Sequence, residues 1–460
     1  MKTIITNGVV VNAGGEFRAD VLVEDAHIVA IGHDLNAEGA SVIDARGAYV
    51  LPGCVDVHTH LDMPFGGTTS ADDFFTGTKA AAVGGTTAIV DFAIQSKGES
   101  LGAALAAWKE KAAGKAVIDY GFHVAVTDLT DETLAEFSEL VAEGVTSFKL
   151  FMAYKGALMV DDGTLFQALK KAKEVGALIS VHAENGDVID VLVKEHLAAG
   201  LTEPKYHATT RPAGVEGEAT GRAIFLAEQA GAPIYIVHLT CKEALDKVRA
   251  ARDRGLPVYA ETCPQYLALS VDNYDEPDFE GAKYVCSPPL RDKSNWEELW
   301  AGLITGDLQV IATDHCPFNF SGQKEMGRGD FSKIPNGTPG LEHRLLVLHT
   351  LGVHGGRIGM SKLVDLLCAA PARFFGMYPR KGVIAPGSDA DLVIFDPTPD
   401  SVISAATQTQ NLDYTPYEGM AVKGAVRTVM QRGQLVVDAG AFVGTSGAGE
   451  YLKRTPFVGV

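Results

Sequence analysis

Residues 53–60 read Gly-Cys-Val-Asp-Val-His-Thr-His, and this stretch guides the interpretation of the whole chain. Apolar and polar residues alternate from Val55 to His58, which predicts a buried strand that runs out into a polar end. Side chains two positions apart on a strand project from the same face, so His58 and His60 point in one direction. Two imidazoles aimed together from a strand end supply half of a metal site, although such a pair also occurs as ordinary core or surface histidine.

From this stretch onward, strand-like runs alternate with segments of helical composition. Segments 131–142 and 242–254, for example, place apolar residues three and four positions apart with charges between them, which indicates amphipathic helices. The strand-like runs number eight and cover residues 53–60, 87–92, 121–126, 147–151, 177–182, 234–238, 257–261 and 309–314. Eight strand–helix units in a segment of this length predict the α/β class, and specifically a (β/α)8 TIM barrel.

The two ends of the chain carry a β pattern instead. Residues 1–52 contain short apolar runs with no helical period, and Asn7-Gly8 between two of them is a hairpin turn signal. Alternating runs return after about residue 374, at 389–395, 427–430 and 435–437. Neither end has enough strands for a stable sandwich by itself. We therefore expect one small β-sandwich domain built from residues 1–52 and 375–460, with the barrel of residues 53–374 inserted between its halves.

The composition excludes several classes of partner. The formal net charge of −19 argues against nucleic acid, which requires a basic surface. No apolar stretch is long enough to cross a bilayer, and Thr3 and Thr6 interrupt the N-terminal run, so neither a membrane anchor nor a signal peptide is expected. The six cysteines are scattered without close pairs, which suits free thiols in a reducing compartment. We expect a cytoplasmic protein that acts on a small molecule.

Polar side chains lie at or near the C-terminal end of five of the eight strand-like runs. In a TIM barrel the C-terminal ends of the strands meet at one mouth, where active sites lie. The residues concerned are His58 and His60 on the first run, Lys149 on the fourth, His182 on the fifth, His238 on the sixth and Asp314 on the eighth. Each has a plainer explanation alone, as a core histidine, a helix cap or a surface amine, but their joint placement predicts a single site.

This set of side chains predicts two metal ions. Four imidazoles and a carboxylate suit Zn²⁺, and can also hold Mn²⁺ or Co²⁺. Five or six donors exceed one tetrahedral site, so two Zn²⁺ ions per subunit are expected. Lys149 does not fit as an ammonium, because a cation repels cations, but desolvation lowers the pKa of a lysine. As a free amine, Lys149 can capture CO₂ and form a carbamate whose two oxygens bridge both ions.

Several longer motifs resemble those of the amidohydrolase superfamily, specifically its bacterial D-hydantoinase and dihydropyrimidinase branch. The matching stretches are residues 53–60, 148–154, 181–185, 237–238, 287–291, 312–318, 336–337 and 387–393, which together extend over nearly the whole chain. The implied metal donors are His58, His60 and Asp314 for a more buried zinc, and His182 and His238 for a more exposed one. The resemblance further implies that Lys149 is N6-carboxylated and bridges the two ions together with a hydroxide.

The resemblance also implies roles in the hydrolysis of a cyclic amide. The metal pair lowers the pKa of a shared water, which then attacks the ring carbonyl at neutral pH. Asp314 accepts the proton and passes it to the leaving nitrogen, and the Tyr154 hydroxyl stabilises the developing oxyanion, although Tyr154 also reads as an ordinary loop aromatic. Main-chain groups of Ser287 and Asn336 bind the polar edge of the ring. The connection 316–338, which carries Asn336, has the length of a functional loop.

Loops after three of the strands suggest the substrate. They carry the apolar residues Met63, Phe65, Ile94, Phe151, Leu158 and Met159, which predict a pocket for a ring substituent but also read as plain loop packing. Leu61 and Asp62 follow the first histidines, where relatives that open dihydroorotate carry an arginine, so a neutral cyclic ureide or diamide is favoured. We expect ring opening of 5-monosubstituted hydantoins to N-carbamoyl amino acids, with D-preference, and of dihydropyrimidines to N-carbamoyl-β-amino acids.

The sequence disfavours four alternatives for the function. An allantoinase would act on a hydantoin with a polar substituent, which the apolar loop residues disfavour. A non-catalytic assembly protein of this fold would lack metal ligands, whereas all six are present. A nucleophilic hydrolase is disfavoured because no Gly-x-Ser-x-Gly elbow occurs in a strand–helix context. A cysteine nucleophile is disfavoured because Cys316 beside His315 has no separate base.

The oligomer is expected to be a homotetramer or homodimer. The glycine-rich tail after Gly444 is expected to fray or to lie over a neighbouring subunit.

Overall fold

Strands make up both the centre and one end of the molecule. The computed structural model describes residues 1–459, and its strands are β1 (Lys2–Thr6), β2 (Val9–Asn12), β3 (Gly15–Arg18), β4 (Asp20–Glu24), β5 (His27–Gly32), β6 (Ser41–Asp44), β7 (Tyr49–Pro52), β8 (Cys54–Thr59), β9 (Pro64–Phe65), β10 (Thr68–Thr69), β11 (Thr86–Ile94), β12 (Asp119–Ala125), β13 (Ser147–Phe151), β14 (Leu178–His182), β15 (Ile234–Ile236), β16 (Val258–Thr262), β17 (Val310–Ile311), β18 (Leu392–Val402), β19 (Ala421–Gln431), β20 (Gln434–Asp438) and β21 (Ala441–Phe442).

Helices fill the connections between the central strands. They are α1 (Thr76–Val83), α2 (Leu101–Ala112), α3 (Asp131–Ala142), α4 (Asp162–Val175), α5 (Gly186–Ala198), α6 (Lys205–Thr209), α7 (Ala213–Ala230), α8 (Lys242–Asp253), α9 (Pro264–Ala268), α10 (Ser294–Thr305), α11 (Arg344–Leu348), α12 (Met360–Val364) and α13 (Ala370–Phe374). Local signals set their ends. At α4, for example, the Asp161 side chain accepts the N–H of Thr164, and Gly176 ends the helix in the left-handed conformation.

The central strands form a closed parallel barrel. β8 and β11 to β17 are neighbours in chain order, and every neighbouring pair is parallel. The ring closes between its first and last strands, because Thr59 bridges His315 and the His60 N–H donates to the His315 carbonyl over 2.8 Å. The predicted (β/α)8 barrel is therefore confirmed. β17 covers only Val310–Ile311 of the predicted run 309–314, and beyond it the chain passes through a left-handed conformation at Asp314, with φ +50°, before His315 bridges the first strand.

The terminal strands share a second core. One sheet has the order β5-β4-β1-β6, and the other has the order β21-β20-β19-β18-β7-β2-β3. The two ends of the chain meet where β7 pairs with β18, with Val50 opposite Ile394. Apolar side chains of both sheets pack between them, among them Ile5, Val50 and Ile394. This confirms a β-sandwich built from both termini, while the exact division at residues 52 and 374 stays a prediction.

The predicted hairpin at Asn7-Gly8 is wrong. β1 pairs with β4 and β6, whereas β2 pairs with β3 and β7 in the other sheet. Asn7 does adopt a turn conformation, with φ +58°, but the turn passes the chain from one sheet to the other. A Cβ atom on Gly8 would lie 2.5 Å from a methyl group of Val50, so the crossing needs glycine.

The C-terminal tail lies on the barrel of its own chain, which corrects the expectation of a frayed tail, while contact of the tail with a neighbouring subunit stays a prediction. The Leu452 N–H donates to the Tyr120 carbonyl over 2.7 Å, and the side chain of Leu452 is buried in the cluster that fills the barrel interior. Arg454 is buried and donates to Ser147 Oγ over 3.0 Å and to the Phe122 carbonyl. These contacts cover the N-terminal end of the barrel, opposite the mouth. None of the helices among residues 1–459 is long and apolar enough to cross a membrane.

Candidate metal centre and active site

The six predicted metal donors lie together at the C-terminal end of the barrel. Their ring nitrogens, carboxylate and amine are linked by short distances: His58 Nε2 and His60 Nε2 each lie 3.1 Å from Asp314 Oδ1, Lys149 Nζ lies 3.0 Å from His58 Nε2, and His182 Nδ1 lies 3.0 Å from His238 Nε2. Donor atoms of His58, His238 and Asp314 all lie within 4.8 Å of one another. All six residues are buried. The register of the strands therefore brings together every residue of the predicted set.

The facing imidazoles of His182 and His238 fit a metal ion. Burial lowers the pKa of both rings, so each is neutral near pH 7 and carries one N–H. Glu184 Oε2 lies 2.8 Å from His182 Nε2 and takes that single N–H, which leaves Nδ1 of His182 as a bare lone pair aimed at His238. A lone pair directed into a cluster of other donor atoms is the arrangement that a divalent cation completes.

Asp314 and His60 are in the protonation states that ligate metals. Burial lowers the pKa of His60 to about 4, so the imidazole is neutral. Burial alone would raise the pKa of Asp314, but the charge of His58 and the hydrogen bonds from His58 and His60 outweigh it. The net pKa of Asp314 lies well below its usual value. Near pH 7 the site thus presents an anionic carboxylate at Asp314 and neutral imidazoles at His60, His182 and His238, which suits metal binding. Burial and Lys149 lower the pKa of His58, but the carboxylates of Asp314 and Glu261 outweigh them and raise it.

Lys149 is a buried amine without a carboxylate salt bridge among the described residues. Only 1% of its surface is exposed, and Nζ lies 4.3 Å from the centre of the Phe92 ring. Burial lowers the pKa of Lys149 to about 8. About a tenth of the side chain is therefore the neutral amine near pH 7, far more than for an exposed lysine, and this is the form that reacts with CO₂.

Two buried glutamates orient the histidines, and the sequence reasoning missed both. Glu261 contacts His58 Nδ1 and accepts a hydrogen bond from the Tyr235 hydroxyl over 2.9 Å. It also accepts one from the main-chain N–H of His238 over 3.3 Å. Glu184 holds His182 and is itself bound by Arg211 over 2.8 Å. Both were visible as polar residues at or just beyond strand ends, Glu261 at the end of the seventh strand-like run. Carboxylates that fix the far nitrogen of a histidine raise its basicity toward a metal.

We expect Glu261→Gln to weaken zinc binding about 10- to 100-fold, because the amide cannot accept from His58, Tyr235 and the His238 N–H as a carboxylate does. Competition against a chromophoric chelator measures the zinc affinity. Glu342→Gln is the matched control, since Glu342 accepts two main-chain N–H groups away from the metal donors. Unchanged zinc affinity in Glu261→Gln would contradict the orienting role.

Asp91 fixes the strand that carries the first two histidines. Its carboxylate accepts Thr59 Oγ1 over 2.7 Å and the Leu61 N–H over 2.9 Å, and Trp108 Nε1 also donates to it. Burial raises the pKa of Asp91 to about 7. Thr59 stands between the two histidines, so these bonds set the direction in which both imidazoles project.

Three site residues have backbone conformations that side chains other than glycine rarely adopt. The φ angles are +64° at Tyr154, +39° at His238 and +50° at Asp314. Such conformations cost free energy, on the order of 1–3 kcal/mol each, and persist where the surroundings impose them. Each occurs just beyond a barrel strand, where the turn re-aims a side chain into the mouth.

A cavity of about 450 Å³, which includes its open entrance, lies directly over the metal donors. Its wall is formed by His60, Met63, Phe65, Ile94, Lys149, Phe151, Tyr154, Leu158, His182, His238, Ser287, Asp314, Cys316, Asn336 and Gly337. Five of the six predicted apolar loop residues belong to this wall. Met159 does not, because its backbone bridges Phe151 and its sulfur packs towards Gly186. His58 lies beneath the cavity floor, against Asp314.

The polar side of the cavity offers free main-chain groups. Within residues 1–459, neither the N–H of Ser287 nor that of Asn336 makes a backbone hydrogen bond. Burial raises the pKa of Tyr154 to about 12, so its hydroxyl remains a proton donor at the cavity wall. These groups suit a flat ligand with amide donors and acceptors along one edge.

Cys316 lines the cavity but is not placed as a nucleophile. Burial raises its thiol pKa well above the usual value, and Sγ donates weakly to the Asn336 carbonyl over 3.5 Å. His315 is turned away, because its Nε2 lies 3.0 Å from Asp72 and its Nδ1 accepts the Gly340 N–H. The thiol therefore lacks the neighbouring base that activates a catalytic cysteine.

Comparison with known proteins identifies the family. The profile of the amidohydrolase family matches residues 49–436. A D-hydantoinase of Streptomyces coelicolor is 56% identical over 460 residues, and the match covers 98% of each chain. A D-hydantoinase of Geobacillus stearothermophilus is 54% identical, with 99% of this chain and 97% of the relative covered. The crystal structure of dihydropyrimidinase from Brevibacillus agri NCHU1002 superimposes with a TM-score of 0.99 at 57% identity, over 100% of both chains. The chain belongs to the amidohydrolase family.

Proposed function

We propose that this protein opens cyclic amides by hydrolysis at a binuclear metal centre. Its substrates are 5-monosubstituted hydantoins, which give N-carbamoyl amino acids, and dihydropyrimidines such as dihydrouracil and dihydrothymine, which give N-carbamoyl-β-amino acids. The observation that carries the proposal is the convergence of four imidazoles, one carboxylate and one buried amine under a single cavity. The high identity to proteins named D-hydantoinase and dihydropyrimidinase supports the substrate class.

The donor set divides between two ions, for which Zn²⁺ is proposed and Mn²⁺ or Co²⁺ are compatible. His58, His60 and Asp314 would hold the deeper ion, and His182 and His238 the one nearer the entrance. Lys149, as its CO₂-derived carbamate, would bridge them. This division is supported by the pairing of His58 and His60 with one carboxylate oxygen and by the facing nitrogens of His182 and His238. When bound, such ions activate water and polarise a carbonyl.

The surrounding side chains perform the proton transfers. Water adds to the ring carbonyl, the C–N bond to the ring nitrogen breaks, and that nitrogen must gain a proton. Asp314 lies at the cavity wall as a carboxylate, so it accepts the proton of the attacking water and returns it to the leaving nitrogen. The protonated Tyr154 hydroxyl donates to the oxygen that becomes negative. The free main-chain groups of Ser287 and Asn336 bind the ring edge.

The remaining wall selects the ring substituent. Met63, Phe65, Ile94, Phe151 and Leu158 present apolar surface to the cavity, which favours an aromatic or aliphatic group over a ureido group. A hydantoin with an apolar substituent is therefore preferred to allantoin. D-selectivity is proposed on the names of the two bacterial relatives above.

We expect the purified protein, supplied with two equivalents of zinc and with bicarbonate, to show a kcat/KM for D-5-phenylhydantoin at least about tenfold above that for allantoin. We expect dihydrouracil to be opened as well and L-5-phenylhydantoin to be opened more slowly. Phe65→Ala is expected to lower kcat/KM for D-5-phenylhydantoin about tenfold, because it removes apolar contact, and to change that for dihydrouracil by less than about threefold. The loss of ultraviolet absorbance measures the rate of ring opening.

Met159→Ala is the control for the apolar wall, because Met159 lies outside the cavity. This variant is expected to leave the ratio of kcat/KM for D-5-phenylhydantoin to kcat/KM for dihydrouracil unchanged. If the zinc-loaded protein opened neither ring, the proposed function would be wrong. If allantoin were the better substrate, the ring-opening chemistry would stand but the assignment of the apolar wall would not.

Assembly and location are also proposals. The exposed apolar side chains of Val188 and Val191 on α5 and of Phe225 on α7 support association of copies, and a homotetramer is proposed, with a homodimer as the alternative. Light scattering on the eluting protein measures the mass directly. All six cysteines are buried free thiols, which supports a cytoplasmic location.

A further inference from the structure

Lys324 is a second buried lysine, and it lies behind the polar wall of the cavity. None of its surface is exposed, although it belongs to the long connection between β17 and α11. Its ammonium donates three hydrogen bonds to main-chain carbonyls, at 2.8 Å to Val285, 2.7 Å to Pro335 and 2.7 Å to Gly337. An ammonium has three N–H donors, so all of them are used.

The three carbonyls belong to the two segments that carry the proposed ring contacts. Val285 lies two residues before Ser287, and Pro335 and Gly337 stand on either side of Asn336. One direct bond also joins these segments, from the Gly337 N–H to the Val285 carbonyl over 3.0 Å. The Lys324 side chain therefore ties the Ser287 segment to the Asn336 segment, and both Ser287 and Asn336 line the cavity.

No carboxylate forms an ion pair with Lys324 among the described residues, so its charge is held by the three carbonyl dipoles and by the Phe318 ring, whose centre lies 5.9 Å from Nζ. Burial lowers the pKa of Lys324 to about 7, but only the charged form has the three N–H donors that its three carbonyl partners accept, so these bonds favour the ammonium. A buried cation without a counter-ion is costly, and an apolar side chain would fill the same volume more cheaply. What the ammonium adds is direction, since three short bonds fix three carbonyls relative to one another.

We propose that Lys324 is a positioning residue for substrate binding, which sets the spacing between the Ser287 and Asn336 main-chain groups that grip the polar edge of the ring. The inference rests on the proposed contacts of those two residues with substrate. Lys324 does not line the cavity and does not touch the metal donors, so it acts through the two segments only. Its loss should therefore weaken ring binding while the metal centre remains intact.

The test uses the zinc-loaded full-length protein with Lys324→Met. We expect KM for dihydrouracil to rise about tenfold, kcat to fall by less than about threefold, and zinc content to stay at the wild-type value. Hydrogen exchange of the Gly337 amide, followed by mass spectrometry, is expected to speed up because the two segments separate more often. This second measurement does not depend on activity. It still reports on Lys324 if the wild-type protein hydrolyses neither ring and the proposed function fails.

Lys381→Met is the matched control. Lys381 is also fully buried and bonds to Asp119, Asp389 and Asp391, far from the cavity. It is expected to lower stability without changing KM. Wild-type KM and Gly337 exchange in folded Lys324→Met would overturn the inference, and so would loss of zinc. If Lys324→Met does not fold, Lys324→Gln, which keeps two donors, is measured with the same expected direction. Failure of both variants to fold would show a general structural role and would also overturn the inference.

Discussion

Lys149→Ala is expected to lose bound metal and ring-opening activity together, with kcat/KM reduced at least about a thousandfold. The reason is that Lys149 stands among the other donors, with Nζ 3.0 Å from His58 Nε2, so no other side chain can take its place as the bridge. Metal analysis after gel filtration measures zinc per subunit, and D-5-phenylhydantoin hydrolysis measures activity. A small carboxylate such as propionate is expected to restore part of both, because it can occupy the space of the proposed carbamate.

The rescue distinguishes a carbamate from a merely structural amine. Propionamide has the same shape without the charge and is expected not to restore activity. Lys149→Arg keeps a cation but cannot react with CO₂, so it is expected to be inactive, and the crowded site leaves no room for propionate beside it. Full activity in Lys149→Ala would contradict the bridging role of Lys149. Rescue by propionamide would contradict the proposed carbamate.

The convergence of the candidate metal donors could be predicted because parallel strands of a barrel end at one mouth. A period of two residues fixes which side chains share a face, and parallel strands end at one mouth, so His58, His60 and Asp314 converge wherever the barrel closes. The left-handed backbone at Asp314 was not predictable in this way. It depends on closure of the ring between Thr59 and His315, which lie far apart in the chain.

The errors arise where long-range contacts override local signals. Asn7-Gly8 is a strong turn signal, yet the pairing of β1 with β4 and β6 places the two flanking strands in different sheets. The tail after Gly444 looks free in the sequence, but main-chain bonds to Tyr120 and the buried Arg454 fix it to the barrel. Local composition carries no information about such partners.

The residues that position the site could not be predicted from the sequence either. Glu261 is visible as a charge at a strand end, but its contact with His58, 203 residues away, is not. Lys324 lies in a charged loop and reads as a solvated amine, whereas the fold buries it completely. Met159 and Leu158 are adjacent and chemically similar, and only the turn after β13 decides which of them faces the cavity.

Asp314→Asn is expected to lower kcat by about 10²- to 10⁴-fold even when zinc is supplied in excess. Asparagine keeps the shape and one acceptor oxygen toward His58 and His60, but it cannot take up the proton and return it to the leaving nitrogen. KM for dihydrouracil is expected to change by less than about threefold, because the ring edge is bound elsewhere. Steady-state kinetics across a zinc titration measure both constants.

Glu261→Gln is the matched control for this experiment, since it alters the support of His58 but not the proton carrier. Excess zinc is expected to restore most of the activity of Glu261→Gln and little of that of Asp314→Asn. The two variants separate because weakened affinity is overcome by mass action, whereas a missing proton acceptor is not. If excess zinc restored Asp314→Asn to wild-type kcat, Asp314 would be a metal ligand only, and the proton would have to travel by another group at the cavity wall.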